Sequence, residues 1–407
     1  MIAKRIAFNA QKSFSRFIIR LAIVATTISV AAMIVTLAFV NGFQQTVSQK
    51  VFSFWGHLRV QQYEPNKALV AEESPLDKDD KVVAELKKRP HITNVQSFAT
   101  KSAVLQQGTN IEGILFKGVE SDYNFDHLTN FLIAGRWLNF DDTLYSREII
   151  LSQPLAQQLQ IKLNDTIRIY FIDAVGGRSN FRRLTVSGIY KTGIEEYDKL
   201  FALGDLRLIN RLNNWSPNQI GGYEIFLDDY RVMDSINEQI YYKGILPEKW
   251  ISRTVREVYP NIFDWLNIQD VNRDVIFIVM SVVAIINLVT CLLILVLERT
   301  RMVGILKALG STNQTIQKIF LYHASYITLL GVGFGLALGL GVCFLQQATH
   351  FITLDETAYY VNSAPIYIIW WQVVAICAGT LLVCFASLIV PTLIVKHIQP
   401  VKAIQFR

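Results

Sequence analysis

Cys377 and Cys384 stand seven residues apart, on one face of a helix, where a dithiol would do redox chemistry. The chain has no C-x-x-C pair, however, and all four cysteines (Cys291, Cys343, Cys377 and Cys384) sit inside apolar runs, where a thiol serves as a small packing residue. Six histidines are scattered without metal-ligand spacing, and H-E-x-x-H, G-x-S-x-G and G-x-x-x-x-G-K-[ST] are all absent. The sequence therefore predicts no catalytic residue, no metal site and no nucleotide site of its own; it does not read as an enzyme. The chemistry left is that of contact, and Glu298–Gly310 carries it. Met302, Ile305, Leu306 and Leu309 recur at helical spacing beside Arg301 and Lys307, and Gly310 suits the residue after a helix end. Ser311–Gln314 reads S-x-x-Q, a capping box that opens the next helix. Such a short amphipathic helix either rests on lipid headgroups or docks into a groove of another protein.

The elements that must position it are membrane spans. Of the 407 residues 51% are hydrophobic and only 18% charged, with mean hydropathy +0.30. Leu21–Val40, Val275–Leu297, Ile319–Gln346 and Thr357–Val395 contain no Asp, Glu, Lys or Arg. About 20 residues at 1.5 Å rise cross a bilayer core, so four spans are expected. The net charge of +6 is distributed as a topology signal. Lys4, Arg5, Lys12, Arg16 and Arg20 precede the first span; Arg299, Arg301, Lys307 and Lys318 follow the second; Lys396, Lys402 and Arg407 follow the fourth. Short basic segments stay inside, which puts both termini in the cytoplasm and the large segment outside, and removes nucleic acid as a partner. The first run is too long for a cleaved signal and reads as an anchor.

The expected fold is thus a polytopic α-helical membrane protein, four transmembrane helices with a large α+β extracytoplasmic domain inserted between helices 1 and 2. Residues 1–20 read as a cytoplasmic amphipathic helix, 21–40 as the first span and 41–270 as the exported domain. Within it, strand–helix–strand units at 46–125 and 220–260 predict one α+β subdomain, with a β-rich insert at about 130–215. Ile92–Phe98 and Ser102–Gln106 read as two strands, and Ile167–Ile172 with Leu184–Tyr190 as a long hairpin. Tyr259–Asp274 keeps a helical period and extends the second span outward. The remainder divides into the second span at 271–297, the inner loop at 298–314, the third span at 315–346, an outer loop at 347–365, the fourth span at 366–395 and a tail at 396–407. Gly331, Gly335 and Gly339 share one face of the third span and predict close packing within the same subunit. Pro391 is expected to kink or end the fourth.

With this layout on the page, the chain resembles the FtsX/MacB-like permease superfamily of type VII ABC transporters, and within it the LolC/LolE-type lipoprotein-releasing branch. Glu298–Gly310 resembles the family's coupling helix, Val40-Asn41-Gly42-Phe43 its M-N-G-F run, and Gln399-Pro400-Val401-Lys402-Ala403-Ile404 its tail; residues 271–395 correspond to its FtsX-like permease domain. The resemblance implies an inner-membrane permease subunit paired with an identical or paralogous second permease. Two copies of a separate LolD-like ATPase would bind ATP and Mg, with no cofactor on this chain. Glu298, Arg301, Met302, Ile305, Leu306, Leu309 and Gly310 would meet that ATPase. Phe39, Val40, Phe43, Trp265, Ile268, Val271 and Ile278 would line a cavity for membrane lipid and the acyl chains of a lipoprotein. A LolA-like periplasmic carrier would dock at the loop of Asp173, Gly176, Gly177, Arg178 and Phe181, which is shorter than the family's hook and has glycines at its tip. Two other functions remain open. One is a MacB-like efflux permease, a group that normally fuses an ATPase ahead of the first span; the other is an FtsX-like regulator of a cell-wall hydrolase, whose exported domain is usually smaller.

Overall fold

A computed structural model describes residues 14–65, 72–141, 144–172 and 179–397. The basic segment before Phe14, the hairpin tip Asp173–Arg178 and the tail after His397 lie outside the described residues. The chain divides into two compact units, one of residues 1–45, 265–353 and 363–407, the other of 46–264 and 354–362.

The first unit is helical. The helices Phe14–Trp55, Pro260–Glu298 and Asn313–Thr349 contain apolar windows long enough to cross a membrane, and a shorter apolar stretch, Trp370–Ala386, lies in the helix Trp370–His397. That last helix runs through Pro391, so the proline does not end it. The first helix, 42 residues and about 60 Å long, extends well beyond the expected 21–40. The helical continuation from Tyr259 also holds, as one helix from Pro260. Ala22, Leu288, Leu292, Val296, Phe320 and Cys384 meet in one buried cluster, and Val30, Ile34, Val332 and Ile376 in another, with Cys377 packed against the second. All four cysteines are free, and those two sit where packing residues belong.

The glycine face of the third helix packs within this subunit. A Cβ on Gly331 would lie 2.7 Å from Thr26 Cβ, on Gly335 2.7 Å from Val30 Cβ, and on Gly339 3.1 Å from Ile34 Cβ, whereas Gly333 and Gly341 face open space. Small residues let the two backbones approach, and Thr27 Oγ1 donates to the Gly331 carbonyl at 3.3 Å. Overfilling so close a contact costs roughly 1–3 kcal/mol. Gly335→Leu is therefore expected to lower the thermal midpoint of the solubilised full-length protein by several degrees, and Gly333→Leu to leave it unchanged; equal midpoints would refute the packing assignment.

Among the described residues, the second unit is built on a ten-stranded sheet. Its strands are β1 (Leu58–Gln62), β3 (Ile92–Gln107), β4 (Asn110–Val119), β5 (Leu132–Gly135), β6 (Glu148–Ser152), β7 (Thr166–Ile172), β8 (Ser179–Tyr190), β9 (Phe201–Asp205), β11 (Gly222–Leu227) and β12 (Trp250–Thr254). The short strands β2 (Leu76–Asp77) and β10 (Gln219–Ile220) pair separately. The order is β12-β1-β11-β3-β4-β9-β6-β8-β5, with β7 joining β3 to β8. Pairing is antiparallel except for β4–β9 and β6–β8.

The strands of the β-rich insert share one sheet with those of the α+β subdomain, because β9 and β6 continue the sheet from β4. One expectation is corrected: Ile92–Phe98 and Ser102–Gln106 do not form two strands, because β3 runs unbroken through both. The residues that read as a break are buried and partnered. The Thr100 amide and hydroxyl donate to Glu73 Oε2 at 2.7 and 2.8 Å, and Lys101 pairs with Glu72 at 3.6 Å. Helix Asp80–Lys87 is capped by Asp79, which accepts from the amides of Lys81 and Val82. Helix Leu206–Asn213 packs on β3, β4 and β9, closely enough that a Cβ on Gly118 would meet Leu206 Cα at 2.7 Å.

Candidate functional site

The inner loop folds into a short helix, Thr300–Ala308. Thr300 Oγ1 donates back to the Leu297 carbonyl at 2.6 Å, fixing the turn out of the second membrane helix. Gly310, with φ +86°, ends the short helix: its amide reaches Lys307 O at 3.0 Å and the Ser311 amide reaches Leu306 O at 3.0 Å. The cap of the following helix is Thr312, whose Oγ1 accepts from the Thr315 amide at 3.3 Å, one residue later than the S-x-x-Q reading placed it. The apolar face is divided. Met302 and Leu306 pack inward on the cluster that contains Val296, Val303 and Phe320, while Ile305 and Leu309 stay 47% and 78% exposed, with Arg301 exposed beside them. Val303, fully buried, anchors the helix and was not singled out by the heptad-like spacing.

The residues expected to line an acyl cavity separate into two groups. Phe39, Phe43 and Trp265 form an aromatic stack, with centroid distances of 5.6 and 4.9 Å. Val40 and Phe43 are buried, in a seam that the first helix makes with residues 365–372. The seam is tight. Asn41 Nδ2 donates to Gln372 Oε1 at 2.6 Å, the Tyr367 amide to Ala38 O at 2.9 Å, and a Cβ on Gly42 would strike the Pro365 backbone. Ile268, Val271 and Ile278, by contrast, lie exposed on one stripe of the second membrane helix with Val275, Val282 and Ile286.

Of the carrier-loop residues only Phe181 is described. It is exposed on β8, its ring 5.8 Å from Tyr170. The register Val104↔Tyr170↔Phe181 places an apolar row across three strands, and Arg168↔Arg183 lies directly beside it. Ile172 is exposed at the end of the same face. Tyr170, Arg168 and Arg183 were missed; the alternation Thr166, Arg168, Tyr170, Ile172 along β7 was the available signal.

Sequence reasoning also missed a buried charged node around the end of the first helix. Lys117 and Glu224, both 0% exposed, pair at 2.7 Å, and Lys117 Nζ donates to the Phe54 carbonyl at 2.6 Å. That carbonyl belongs to the last turn of Phe14–Trp55, where a helix leaves unsatisfied acceptors and a negative pole. Arg59 pairs with Glu73 at 2.8 Å and lies 4.1 Å from the Trp55 ring centroid and 4.4 Å from that of Phe98. Burial pushes the Glu224 carboxyl up and the Lys117 ammonium down, and their attraction opposes both shifts. Burial likewise holds His57 neutral, its pKa lowered to about 3, and its Nδ1 accepts from the Leu227 amide at 3.0 Å. The node is thus a set of buried paired charges that ties the end of the first helix to the sheet. Among the described residues no group of His, Cys, Asp and Glu is placed to hold a metal ion.

Long apolar helices, a capped short helix between two of them and a separate unit built on a sheet fit a membrane permease with an extracytoplasmic domain. Residues 21–239 match the MacB-like periplasmic core domain and residues 275–400 the FtsX-like permease C-terminal region, and the chain belongs to this MacB/FtsX-like permease family. Within that family it is similar to LolE of Haemophilus influenzae, a lipoprotein-releasing system transmembrane protein, with 23% identity over 94% of this chain and 92% of that protein. LolC of the same organism is also 23% identical, over 97% and 94%, and LolC of Neisseria meningitidis serogroup B 22%, over 97% and 96%. Among solved structures, the periplasmic region of MacB from Actinobacillus actinomycetemcomitans aligns with 50% of this chain and 91% of that one, at 15% identity and a TM-score of 0.34.

Proposed function

We propose that this chain is the transmembrane permease subunit of an ABC transporter that releases lipoproteins from the inner membrane. The observation that carries the reading is similarity along nearly the whole chain to proteins named for lipoprotein release. In this reading the chain crosses the membrane four times, with both termini in the cytoplasm, as the basic segments favour. Two copies of a separate LolD-like ATPase bind ATP and Mg, and a second permease, identical or paralogous, completes the complex. Ile305 and Leu309 supply the exposed apolar contact to the ATPase. The stripe from Ile268 to Ile286 offers a wall for acyl chains, where each buried methylene contributes roughly 0.8 kcal/mol.

Depletion of the protein, followed by separation of inner and outer membranes, tests the function. Acylated lipoproteins are expected to accumulate in the inner membrane; an unchanged distribution would reject lipoprotein release and turn the reading to efflux or cell-wall regulation.

The outer face of the β7–β8 hairpin is the surface we assign to a LolA-like periplasmic carrier. Its apolar row with arginines alongside fits a partner that offers apolar and acidic groups. Phe181→Ala with Arg183→Glu is expected to weaken carrier binding at least about tenfold, the effect of losing one well-packed contact residue. Unchanged binding by pull-down, with normal membrane insertion, would remove the hairpin from the docking surface.

A further inference from the structure

Residues 354–362 join the third and fourth membrane helices in sequence, yet they belong to the compact unit of the extracytoplasmic domain. The Leu354 amide donates to the Asn362 carbonyl at 3.0 Å, closing the segment at its base, and helix Glu356–Tyr359 forms its top. The buried Val361 and a set of polar contacts attach it. Glu356 lies between two lysines of the domain, 3.9 Å from Lys50 and in an ion pair with Lys191. Asn362, with its amide nitrogen turned toward Glu356, donates to the two carboxylate oxygens at 2.8 and 3.3 Å. Lys50 Nζ donates to the Tyr360 carbonyl at 2.7 Å, and the Tyr360 hydroxyl to Glu196 Oε1 at 3.2 Å. Gly193, with φ +76°, lets the segment come this close, since a Cβ there would collide with Glu356 Oε1 and Lys50 Nζ.

Two features distinguish this attachment from a permanent joint. The ion pairs are partly open to water, with side chains 17–34% exposed, so each is weak and screened by salt. One carboxylate also sits between two lysines that repel each other; without its charge, Asp198 remains as an opposite charge near Lys50. We propose that residues 354–362 form a releasable strap, clasped to the extracytoplasmic domain by Glu356 between Lys50 and Lys191, and that the clasp restrains the ATP-driven cycle until the strap lets go. The proposal extends the permease reading, but its first readout needs neither ATPase nor lipoprotein.

Hydrogen exchange of the full-length protein in nanodiscs measures the strap directly. Glu356→Gln is expected to speed exchange of the Leu354, Tyr359 and Tyr360 amides at least about tenfold, and raised salt to speed it in the unaltered protein. Adding Lys191→Gln to Glu356→Gln should slow exchange again, because one repelling lysine is gone. Exchange that ignores both Glu356→Gln and salt, or a Lys191→Gln effect that merely adds, would overturn the clasp. The salt titration decides the matter alone if the variant fails to fold. In the complex with its co-purified ATPase, Glu356→Gln should raise ATP turnover without lipoprotein at least about threefold; unchanged turnover would overturn the restraint. Absence of any co-purifying ATPase would count against the permease reading and leave the exchange result to judge the clasp.

Discussion

Replacing Lys117 by methionine is expected to cost the extracytoplasmic domain about 3–5 kcal/mol, the penalty for leaving one member of a buried ion pair alone. The change removes the ammonium that caps the Phe54 carbonyl and leaves Glu224 in a fully buried site without its counter-charge. Methionine fills nearly the same volume, so the loss reports charge and not a cavity. Lys117→Met with Glu224→Met should recover most of it, since an apolar pair of matched volume is often as stable as a buried ion pair. The single variant should also depend on pH in a set direction. Burial already raises the Glu224 pKa above its ordinary 4.5, and without Lys117 nothing nearby opposes that shift as strongly. The folded state then binds a proton that the unfolded state has released, so stability falls as pH rises from about 4.5 through the raised value. Denaturant unfolding of the full-length protein at acidic and alkaline pH measures both effects. A single variant as stable as its parent, or one that gains stability with rising pH, would dismiss the anchor.

Leu309→Glu and Ile305→Glu are expected to abolish co-purification of the ATPase while leaving the thermal midpoint of the permease close to that of the unaltered chain. Both side chains are exposed in this chain, so a charge placed on them is tolerated in the free subunit, whereas in the proposed complex it would be buried against an apolar groove. Leu306→Glu, one residue from Ile305, should behave differently. That side chain packs against the cluster of Val296, Val303 and Phe320, so the charge unfolds the membrane unit locally and lowers the midpoint. Wild-type amounts of ATPase bound to the Leu309→Glu and Ile305→Glu variants together would rule out the short helix as the docking element.

The contrast between Ile305 and Leu306 shows where reading the sequence stops. Helical spacing identified four apolar positions and the glycine after the helix end, because both depend on local backbone chemistry, but it placed the next cap one residue early. It did not divide those positions between inside and outside, which is decided by the flanking helices. The charge-free runs within the long apolar helices were legible for the same local reason. Lys101 fell in the apparent break between two strands, and Lys117 gave no local signal: only partners distant in sequence, Glu72 and Glu224, make their burial tolerable. The merging of the middle strands into one sheet was likewise invisible, since β4 and β9 pair in parallel across more than 80 residues of chain.

The assignment of 354–362 to the domain has a practical and evolutionary consequence. A fragment cut from 46 to 264 would lack a piece of its own fold, with Lys50 and Lys191 left facing solvent where Glu356 belongs. A chimera that exchanges this domain between relatives must carry two stretches of gene, one of them lying between codons for membrane helices. Its modules are interleaved along the chain, so recombination at a single pair of boundaries cannot transplant an intact one.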